Sequence, residues 1–487
     1  MRKRLALLIW IAPAFLSLFA CAPAAPGPPA RGLLVIAIDG LRYDHLSYAG
    51  YDRPTTPALD ELAQEGVFFR QAFAAAPWQI PAHMALISGA DPRLARRVLP
   101  ADVSVNQATQ WHLPDEAPHP AASFLSHGIS TAMFYDHPNL ASIYGYQRGF
   151  HVYQGPDKDD DKQRPQFGSE AVFRRFQQWL THSDPDQSWF AYLEVADLER
   201  VWSETDPRWD SRYSPRPELS RVPPVGDAQH LYFAVPRGRW SQGMSTLGEY
   251  EARYDGAIAQ MDYAFRRLRC SMERLGRFEN TTVVIVGSYG MSFGESGMLL
   301  DSGTFADVDL HVPLIVRPGA GFAFKAGLRS DDLISTVDVM PTLLEMAGLP
   351  ITSGTDGQSF LRALNGVAAA PGRVIHASCA YQDGFATLDD RHCFERTWPG
   401  RALDPRLSAS WFGDNERRPD ELREVFHDRR EHPSLGHLSV QGSDIEARAN
   451  LARRGEAWAA KIHARRLRFQ GPGVAEFAAP KETDPTR

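Results

Sequence analysis

Short, nearly continuous apolar runs alternate with helical patterns along the chain as far as Gly366. Strands buried on both faces of a parallel sheet are apolar throughout, so they appear as unbroken runs and not as alternating ones. Runs of this kind predict strands at residues 33–38, 131–135, 189–193, 282–286 and 313–316. Their alternation with helices predicts an α/β class: a doubly wound, mainly parallel sheet with helices on both faces.

The helices between these strands have recognisable starts and apolar stripes. Thr56 and Pro57 mark one start, with Thr56 as the N-cap and Pro57 in the first turn, and Gly66 ends that helix. Apolar residues at helical spacing predict further helices from Ser169, over about 250–275 and over about 336–347.

The pattern changes after Gly366. Short strand-like pieces follow, and then a basic helix around residues 447–466. We therefore predict a large α/β domain over residues 32–366 and a smaller C-terminal α+β domain over residues 367–487.

The N-terminal segment is typical of a targeting signal and not of a part of the folded domain. Three basic residues precede an apolar stretch over 5–20 that contains Pro13, which is too short and too broken for a membrane span. It ends in Leu-Phe-Ala-Cys21, which resembles a bacterial lipobox. We predict a signal peptide over 1–21, lipidation at Cys21 and a Pro/Ala-rich tether over 22–31.

This interpretation predicts an extracytoplasmic, membrane-anchored lipoprotein on the periplasmic side of a bacterial envelope. The alternative is a plain secretory signal with a fortuitous cysteine, and it also places the mature protein outside the cytoplasm. Disulfides form in such compartments, so we predict one between Cys379 and Cys393 in the smaller domain.

Composition narrows the classes of function. The chain has 487 residues, of which 43% are hydrophobic and 23% charged, which excludes a disordered or polytopic membrane protein. A net charge of −7 gives no basic face for nucleic acid, so no nucleic-acid partner is predicted. There are four cysteines and no C-x-x-C, so neither a disulfide-dense fold nor a thiolate zinc site is predicted.

A series of motifs, in chain order, resembles the sulfatase family of the alkaline phosphatase superfamily. They include LLVIAIDGLRYDHLSYAGYDRPTTPALDEL, NLASIYGYQRGF, ENTTVVIVGSYGMSFGESG, HVPLIVRPG and STVDVMPTLLEMAGLP. The series covers most of residues 32–366. The resemblance implies a large α/β domain followed by a smaller domain with a short antiparallel sheet.

The resemblance also implies where an active site would be. In such enzymes a nucleophile sits beside a divalent cation held by carboxylates, and basic groups neutralise the ester oxygens. Asp39 matches the first metal-ligating Asp, and His83 matches the basic residue that ends the nucleophile motif. The nucleophile position itself holds Gln79, an amide and a very poor nucleophile.

Other implied positions are also substituted. Ser288 and Tyr289 stand where the family has an Asp and a His, Ser302 stands near its lysine, and Glu199 aligns with another His. The resemblance thus implies a divergent member with a degenerate active site. Asp39 remains as the remnant metal ligand.

These residues lead to two main hypotheses for the function. The first is a tethered pseudoenzyme without a cofactor, which binds an anionic small molecule, a glycan or an envelope protein through the former cleft or the loops above it. The alternative is a divergent sulfatase- or phosphatase-type ester hydrolase or transferase, with a rearranged site for Ca²⁺ or Mg²⁺, acting on envelope glycans or lipids. A scaffolding lipoprotein that uses its second domain is a third hypothesis, and the oligomeric state stays open.

A rearranged site has its own candidate residues. Zinc could bind Asp39 and His83 together with Asp307 or His311. Ser288 or Ser292 could replace the nucleophile.

Overall fold

A computed structural model of the chain describes residues 32–94, 96–98, 110–156, 168–200, 207–220, 222, 225–226, 235–236, 239–241, 243–295, 298–379, 384–397, 423–429 and 445–470. Within these ranges, no helix has the length and apolar character needed to cross a membrane. The predicted signal peptide, Cys21 and the tether lie outside the described residues.

The elements of the described chain are as follows. The strands, in chain order, are β1 (Gly32–Ile38), β2 (Val67–Phe73), β3 (Arg96–Val98), β4 (Gln110–His112), β5 (Ser130–Phe134), β6 (Val152–Gln154), β7 (Trp189–Val195), β8 (Val225–Gly226), β9 (Val235–Pro236), β10 (Thr281–Gly287), β11 (Ser292–Phe293), β12 (Leu299–Asp301), β13 (Leu314–Arg317), β14 (Leu328–Ser335), β15 (Ile375–Cys379), β16 (Gly384–Leu388), β17 (His392–Thr397) and β18 (Arg423–Asp428). The α-helices are α1 (Pro57–Glu65), α2 (Gln79–Ser88), α3 (Pro120–Ser126), α4 (Ser169–His182), α5 (Asp197–Arg200), α6 (Pro207–Asp210), α7 (Leu247–Arg274), α8 (Asp307–Leu310), α9 (Val339–Met346) and α10 (Ile445–Gln470).

The main sheet has eight strands in the order β14-β2-β13-β10-β1-β7-β5-β6. Strand β1 pairs in parallel with β10 and β7, and β5 and β6 continue in the same direction. Strand β13 runs antiparallel to both of its neighbours, whereas β14 is parallel to β2. The predicted mainly parallel α/β sheet is confirmed, and the five predicted strands correspond to β1, β5, β7, β10 and β13.

Alternate residues of β1 enter two apolar clusters on opposite faces of this sheet, as the two-residue period of a strand requires. Leu34 packs in one cluster with residues of α1, α4 and α7. Leu33 packs in the other with residues of α2, α3 and α9. Each large side chain buried in this way contributes about 1.5–3 kcal/mol, so the core holds β1 and its C-terminal end firmly.

The N-terminus of α1 is capped differently from the prediction. The Thr56 side chain makes no cap, and its hydroxyl donates to Asp60 Oδ1 at 2.9 Å. The backbone N–H groups of Ala58 and Leu59 instead donate to the Asp262 carboxylate of α7, each at 2.9 Å. A carboxylate from a packed helix satisfies these donors, and sequence near the helix start cannot reveal it.

The smaller C-terminal part is an antiparallel sheet, β15-β16-β17-β18, covered by α10. Trp458 of α10 stacks on His376 with ring centroids 4.3 Å apart. At Gly455 an added Cβ would lie 2.3 Å from the Phe385 ring, so only glycine lets the helix approach this closely. The predicted smaller α+β part is confirmed, while the boundary at residue 366 stays a prediction.

The predicted disulfide between Cys379 and Cys393 is wrong, since Cys393 is a free, buried thiol. Strand β16 lies between the strands that carry the two cysteines. Cys379 is opposite Gly384 and Cys393 is opposite Leu388, so their backbones are two strand spacings, about 10 Å, apart and also shifted along the sheet. A disulfide needs Cα atoms within about 7 Å.

Candidate functional site

The site lies where the carboxyl ends of β1 and β10 meet the first turns of α2. Asp39 directly follows β1, and Ser288 directly follows β10, its parallel neighbour. Side chains at such neighbouring strand ends come together at one edge of a sheet. Gln79 and His83 are four residues apart on α2 and so share one helix face.

The structure brings these four predicted residues into direct contact. Asp39 Oδ1 lies 2.7 Å from His83 Nε2 and 2.5 Å from Ser288 Oγ, and Asp39 Oδ2 lies 2.6 Å from Gln79 Nε2. All four side chains are buried. The Asp39 carboxylate is therefore surrounded by hydrogen-bonding side chains of the chain itself.

Two further residues, which the sequence did not single out, fix this arrangement. Asn139 Nδ2 donates to Gln79 Oε1 at 2.9 Å, so the amide nitrogen of Gln79 is the atom that faces Asp39. The other ring nitrogen of His83 lies 2.7 Å from the Tyr192 hydroxyl. Two of the three partners of Asp39, Gln79 and His83, are thus oriented by a further hydrogen bond.

Electrostatics keep Asp39 ionised. Its complete burial acts to raise the pKa, but the charge of His83 and the hydrogen bonds from His83, Ser288 and Gln79 outweigh that effect and lower it. A buried carboxylate at neutral pH needs such donors, because an unpaired charge in an apolar interior is very costly.

Tyr289 and Ser302 belong to a second group of side chains nearby. The Tyr289 hydroxyl donates to Glu199 Oε1 at 3.0 Å, and Arg239 Nη2 lies 2.9 Å from Glu199 Oε2. Arg239 Nη2 also lies 3.3 Å from Asp301 Oδ1, to which the Ser302 backbone N–H donates at 2.9 Å. No sequence signal pointed to Arg239, which lies between β9 and α7 in a stretch that matches no motif.

Glu194 of β7 is a functional candidate that the sequence analysis missed. Its Oε2 accepts the backbone N–H groups of Asp136 and His137 at 2.6 and 3.1 Å, while its Oε1 is buried without a hydrogen-bond partner among the described residues. Burial, and then the charges of Asp39 and Asp136, raise its pKa well above the usual range. The detectable signal was one acidic residue inside the apolar strand Trp189–Val195.

Comparison with known proteins identifies the architecture. A family model described as Sulfatase matches residues 31–349, well over half of the chain. The chain belongs to the sulfatase family. The resemblance seen in its motifs is therefore confirmed.

Individual members of this family and its superfamily are distant. The multifunctional alkaline phosphatase superfamily protein PehA of Trinickia caryophylli is 24% identical over 396 residues, covering 68% of this chain and 76% of that protein. The extracellular sulfatase SULF-1 homolog of Drosophila melanogaster is 28% identical over 104 residues, so the match spans 21% of this chain and only 9% of that protein.

The fold is also found in solved structures. The phosphonate monoester hydrolase of Agrobacterium radiobacter superposes with a TM-score of 0.64 and 18% identity, covering 91% of this chain and 96% of that one. At this level of identity the likeness shows the alkaline phosphatase superfamily fold alone.

The residues around Asp39 do not fit the hard divalent cation that sulfatase-family membership implies. Such a cation takes about six oxygen ligands. Here Asp39 accepts hydrogen bonds on both oxygens, Gln79 presents its N–H₂ group, and Ser288 stands where a second carboxylate would be. This donor set therefore does not support hydrolysis through a hard metal ion at this position.

The zinc arrangement proposed from sequence is not assembled. His311 Nε2 donates to the Arg70 carbonyl at 2.9 Å, and the His311 ring is stacked on Tyr43 and Phe73. Asp307 lies 3.2 Å from the Arg429 guanidinium. The described group that could geometrically hold a metal is Asp39, His83 and Glu194, whose ligand atoms lie within 4.8 Å of one another.

Ser292, the other suggested nucleophile, is used structurally. Its hydroxyl donates to the Met298 carbonyl at 2.9 Å and to Glu295 at 3.3 Å. Ser288 donates to Asp39 at 2.5 Å, and because the pKa of Asp39 is lowered, this carboxylate is a weak base for activating a serine hydroxyl.

Proposed function

We propose that this sulfatase-family chain no longer hydrolyses sulfate esters and serves as a binding protein of the bacterial envelope, tethered through Cys21. The observation that carries the proposal is the hydrogen-bonded state of Asp39. A carboxylate that holds a metal directs its oxygens at the ion, whereas those of Asp39 meet the donors of Gln79, His83 and Ser288 at 2.5–2.7 Å.

The nucleophile position supports the same conclusion. Gln79 is 6% exposed and its amide is hydrogen-bonded at both ends, to Asp39 and to Asn139. Loss of a covalent nucleophile typically lowers the rate on the order of 10⁶-fold. The Ser288 hydroxyl also contacts Asp39, but it is buried and donates to that carboxylate.

Charge also argues against an anionic ligand on the floor of the former cleft. His83 keeps one family position for a basic group, but three others hold Glu199, Tyr289 and Ser302, and Asp301 lies beside them. A sulfate or phosphate group there would face two carboxylates, and the nearby cation, Arg239, is already paired with both of them. Of the ligands considered from sequence, a glycan or a partner protein held above this floor therefore fits better than a small anion.

The test is an ester-hydrolysis assay on the mature chain. Aryl sulfate, phosphate and phosphonate monoesters are offered with Ca²⁺, Mg²⁺, Mn²⁺ or Zn²⁺, beside an active sulfatase as the positive control. We expect the wild type and Asp39→Asn to give the same background rate. A metal-dependent turnover that EDTA removes and Asp39→Asn abolishes would overturn the proposal.

The divergent hydrolase or transferase acting on envelope glycans or lipids remains the second candidate. The observation in its favour is the Asp39, His83 and Glu194 group, which offers one nitrogen and two carboxylates, a ligand set typical of zinc. Glu194 Oε1, unpartnered among the described residues, is the atom available to such an ion. In the same assay this candidate predicts turnover that depends on zinc and is lost in Glu194→Gln.

A further inference from the structure

A cavity of about 370 Å³ lies where the main sheet meets the smaller C-terminal part. Its walls come from three segments: the edge strand β14, the chain that joins β14 to β15, and α10, which contributes Arg454. Strand β14 is four strand spacings, about 19 Å, from β1. The cavity is therefore separate from the Asp39 site, and junctions between domains are common positions for small-molecule sites.

Hydrogen bonds and a buried ion pair fix the walls of this cavity. Arg373, one of the lining residues, pairs with the Asp338 carboxylate, whose side chain is 1% exposed. The other oxygen of Asp338 accepts the backbone N–H of Gln358, a second lining residue, at 2.7 Å. On the opposite side, Asp332 Oδ1 accepts the backbone N–H of Ala369 at 2.8 Å and so ties the connecting chain to β14. The cavity is thus formed by the fold itself.

Two cations line this cavity without a carboxylate partner in the described chain. The side chain of Arg362 forms no hydrogen bond or ion pair with any described residue. Arg454 Nη1 donates at 2.8 Å to the Gly372 carbonyl, which is a neutral acceptor. Asp332, the carboxylate among the described lining residues, already accepts a backbone N–H on one oxygen and the Ser330 hydroxyl on the other. Even with Asp332 counted, the lining keeps a net positive charge that the described chain does not neutralise.

Beside these cations the lining is small and apolar. Residues 368–371 are three alanines and a proline, and the neighbouring Val367 is 43% exposed. A guanidinium presents its N–H groups as a planar fork that matches the oxygens of a carboxylate, a sulfate or a phosphate. Guanidinium groups next to an apolar wall therefore suit a molecule that has an anionic group at one end and a short apolar body.

We propose that this cavity is a binding site for a small organic anion, whose carboxylate or tetrahedral oxyanion group pairs with Arg362 and Arg454 and whose apolar body contacts the wall 367–371. The site goes beyond the proposed function, because it lies outside the former cleft and requires no bond to be broken. A small anion, which the charges on the floor of that cleft disfavour, meets a matching charge here.

The experiment is a binding titration of the mature chain by isothermal calorimetry. Phenylphosphonate joins a tetrahedral oxyanion to an apolar ring, and benzoate joins the same ring to a planar carboxylate. We expect at least one of them to bind with a Kd on the order of 1 mM or below, and their relative affinities distinguish the two kinds of anionic group. Benzyl alcohol keeps the ring without the charge and should bind at least tenfold more weakly. Absence of binding by both anions, or equal binding of benzyl alcohol, would overturn the proposal.

Four variants show whether the anion binds in this cavity. Arg362→Gln and Arg454→Gln each remove one guanidinium, and each should weaken binding at least fivefold. Ala368→Trp fills the cavity without changing its charge and should abolish binding. Arg266→Gln is the matched control, because Arg266 is exposed and pairs with Glu61 of α1, and it should bind the anion as tightly as the wild type. Unchanged affinity in both cavity arginine variants, or an equal loss in the control, would overturn the site.

The result is independent of the test of the proposed function. Neither probe contains an ester bond, so hydrolysis cannot alter the titration. Ester turnover by the wild type would refute the proposed function and leave the anion binding unchanged. Absence of anion binding would refute the cavity site and leave the proposed function standing. If Ala368→Trp does not fold, the two arginine variants, which change exposed side chains, still decide the question.

Discussion

Replacing Asp39 by asparagine tests whether this carboxylate holds the fold together or holds a metal. In the wild type the carboxylate is fully buried and accepts hydrogen bonds from Gln79, His83 and Ser288. Asparagine keeps one acceptor oxygen but turns an N–H₂ group toward a donor. The Gln79 amide cannot simply rotate to compensate, because Asn139 Nδ2 already donates to its oxygen.

The expected loss follows from these contacts. Hydrogen bonds to charged groups contribute roughly 1.5–3 kcal/mol each, and breaking a buried ion pair by removing one partner costs about 3–5 kcal/mol. Asparagine retains part of the network, so we expect the free energy of unfolding to fall by about 3 kcal/mol. Asp331→Asn is the matched control: its carboxylate pairs with Arg70 at the surface, where such pairs contribute at most about 1 kcal/mol.

The assay is urea unfolding followed by tryptophan fluorescence, in EDTA and again with millimolar Ca²⁺ or Mg²⁺. We expect the same loss for Asp39→Asn in every condition, because protein donors and not an ion stabilise the wild-type carboxylate. A ligand at a hundred times its Kd stabilises the folded state by about 2.7 kcal/mol. If added cation stabilised the wild type by such an amount and left Asp39→Asn unchanged, the reasoning would be refuted.

Two other predictions concern groups outside the Asp39 network. Burial raises the pKa of the Cys393 thiol well above its usual value, so this thiol should react with a thiol reagent in urea but hardly in the folded protein. Because the thiol is free, dithiothreitol should leave the thermal midpoint of unfolding unchanged. A midpoint lowered by dithiothreitol would contradict the free thiol. Burial also raises the pKa of Asp309 to about 7, against the opposing hydrogen bonds from Thr304, so the folded state keeps a proton that the unfolded chain loses near pH 4. The stability contributed by this proton is complete below about pH 4 and is lost as the pH rises to about 7, at up to about 1.4 kcal/mol per pH unit. Urea unfolding at pH 5 and pH 8 should therefore show a smaller decrease for Asp309→Asn than for the wild type, and identical decreases would show that Asp309 is ionised in the folded protein.

The strands that the sequence revealed were those buried on both faces. Strands β1 and β10 are buried along their whole length, and their runs contain only apolar residues, Gly and Thr. Strand β14 was missed because Arg329, Asp331 and Asp332 interrupt its apolar residues. Strand β2 was missed for a related reason, since Arg70 and Gln71 lie in its middle. The sequence therefore revealed strands where burial on both faces makes the run continuously apolar.

The candidate site was predictable as far as the motifs extended. Asp39, Gln79, His83 and Ser288 were placed by family position, and the geometry of adjacent strand ends explains why they meet. Arg239 could not be predicted, because its partner Glu199 is 40 positions away and no local pattern connects the two. The wrong disulfide has a similar cause, since the spacing of two cysteines says nothing about a strand that folds between them.

The buried charges of this site are balanced by polar and charged side chains of the same chain. Without Gln79 and Ser288, the buried Asp39 carboxylate would keep His83 alone of its three side-chain partners, but both of these residues donate to it. Glu199, at a position that the family fills with a basic residue, would be an unpaired buried charge, but Arg239 pairs with it. Each unsatisfied buried group would cost about 1–3 kcal/mol, so a few such groups would offset much of the roughly 5–15 kcal/mol that keeps a domain folded. Glu194 Oε1 is one of the buried oxygens that have no hydrogen-bond partner among the described residues. The raised pKa of Glu194 favours its neutral form, which costs less to bury than an unpaired charge.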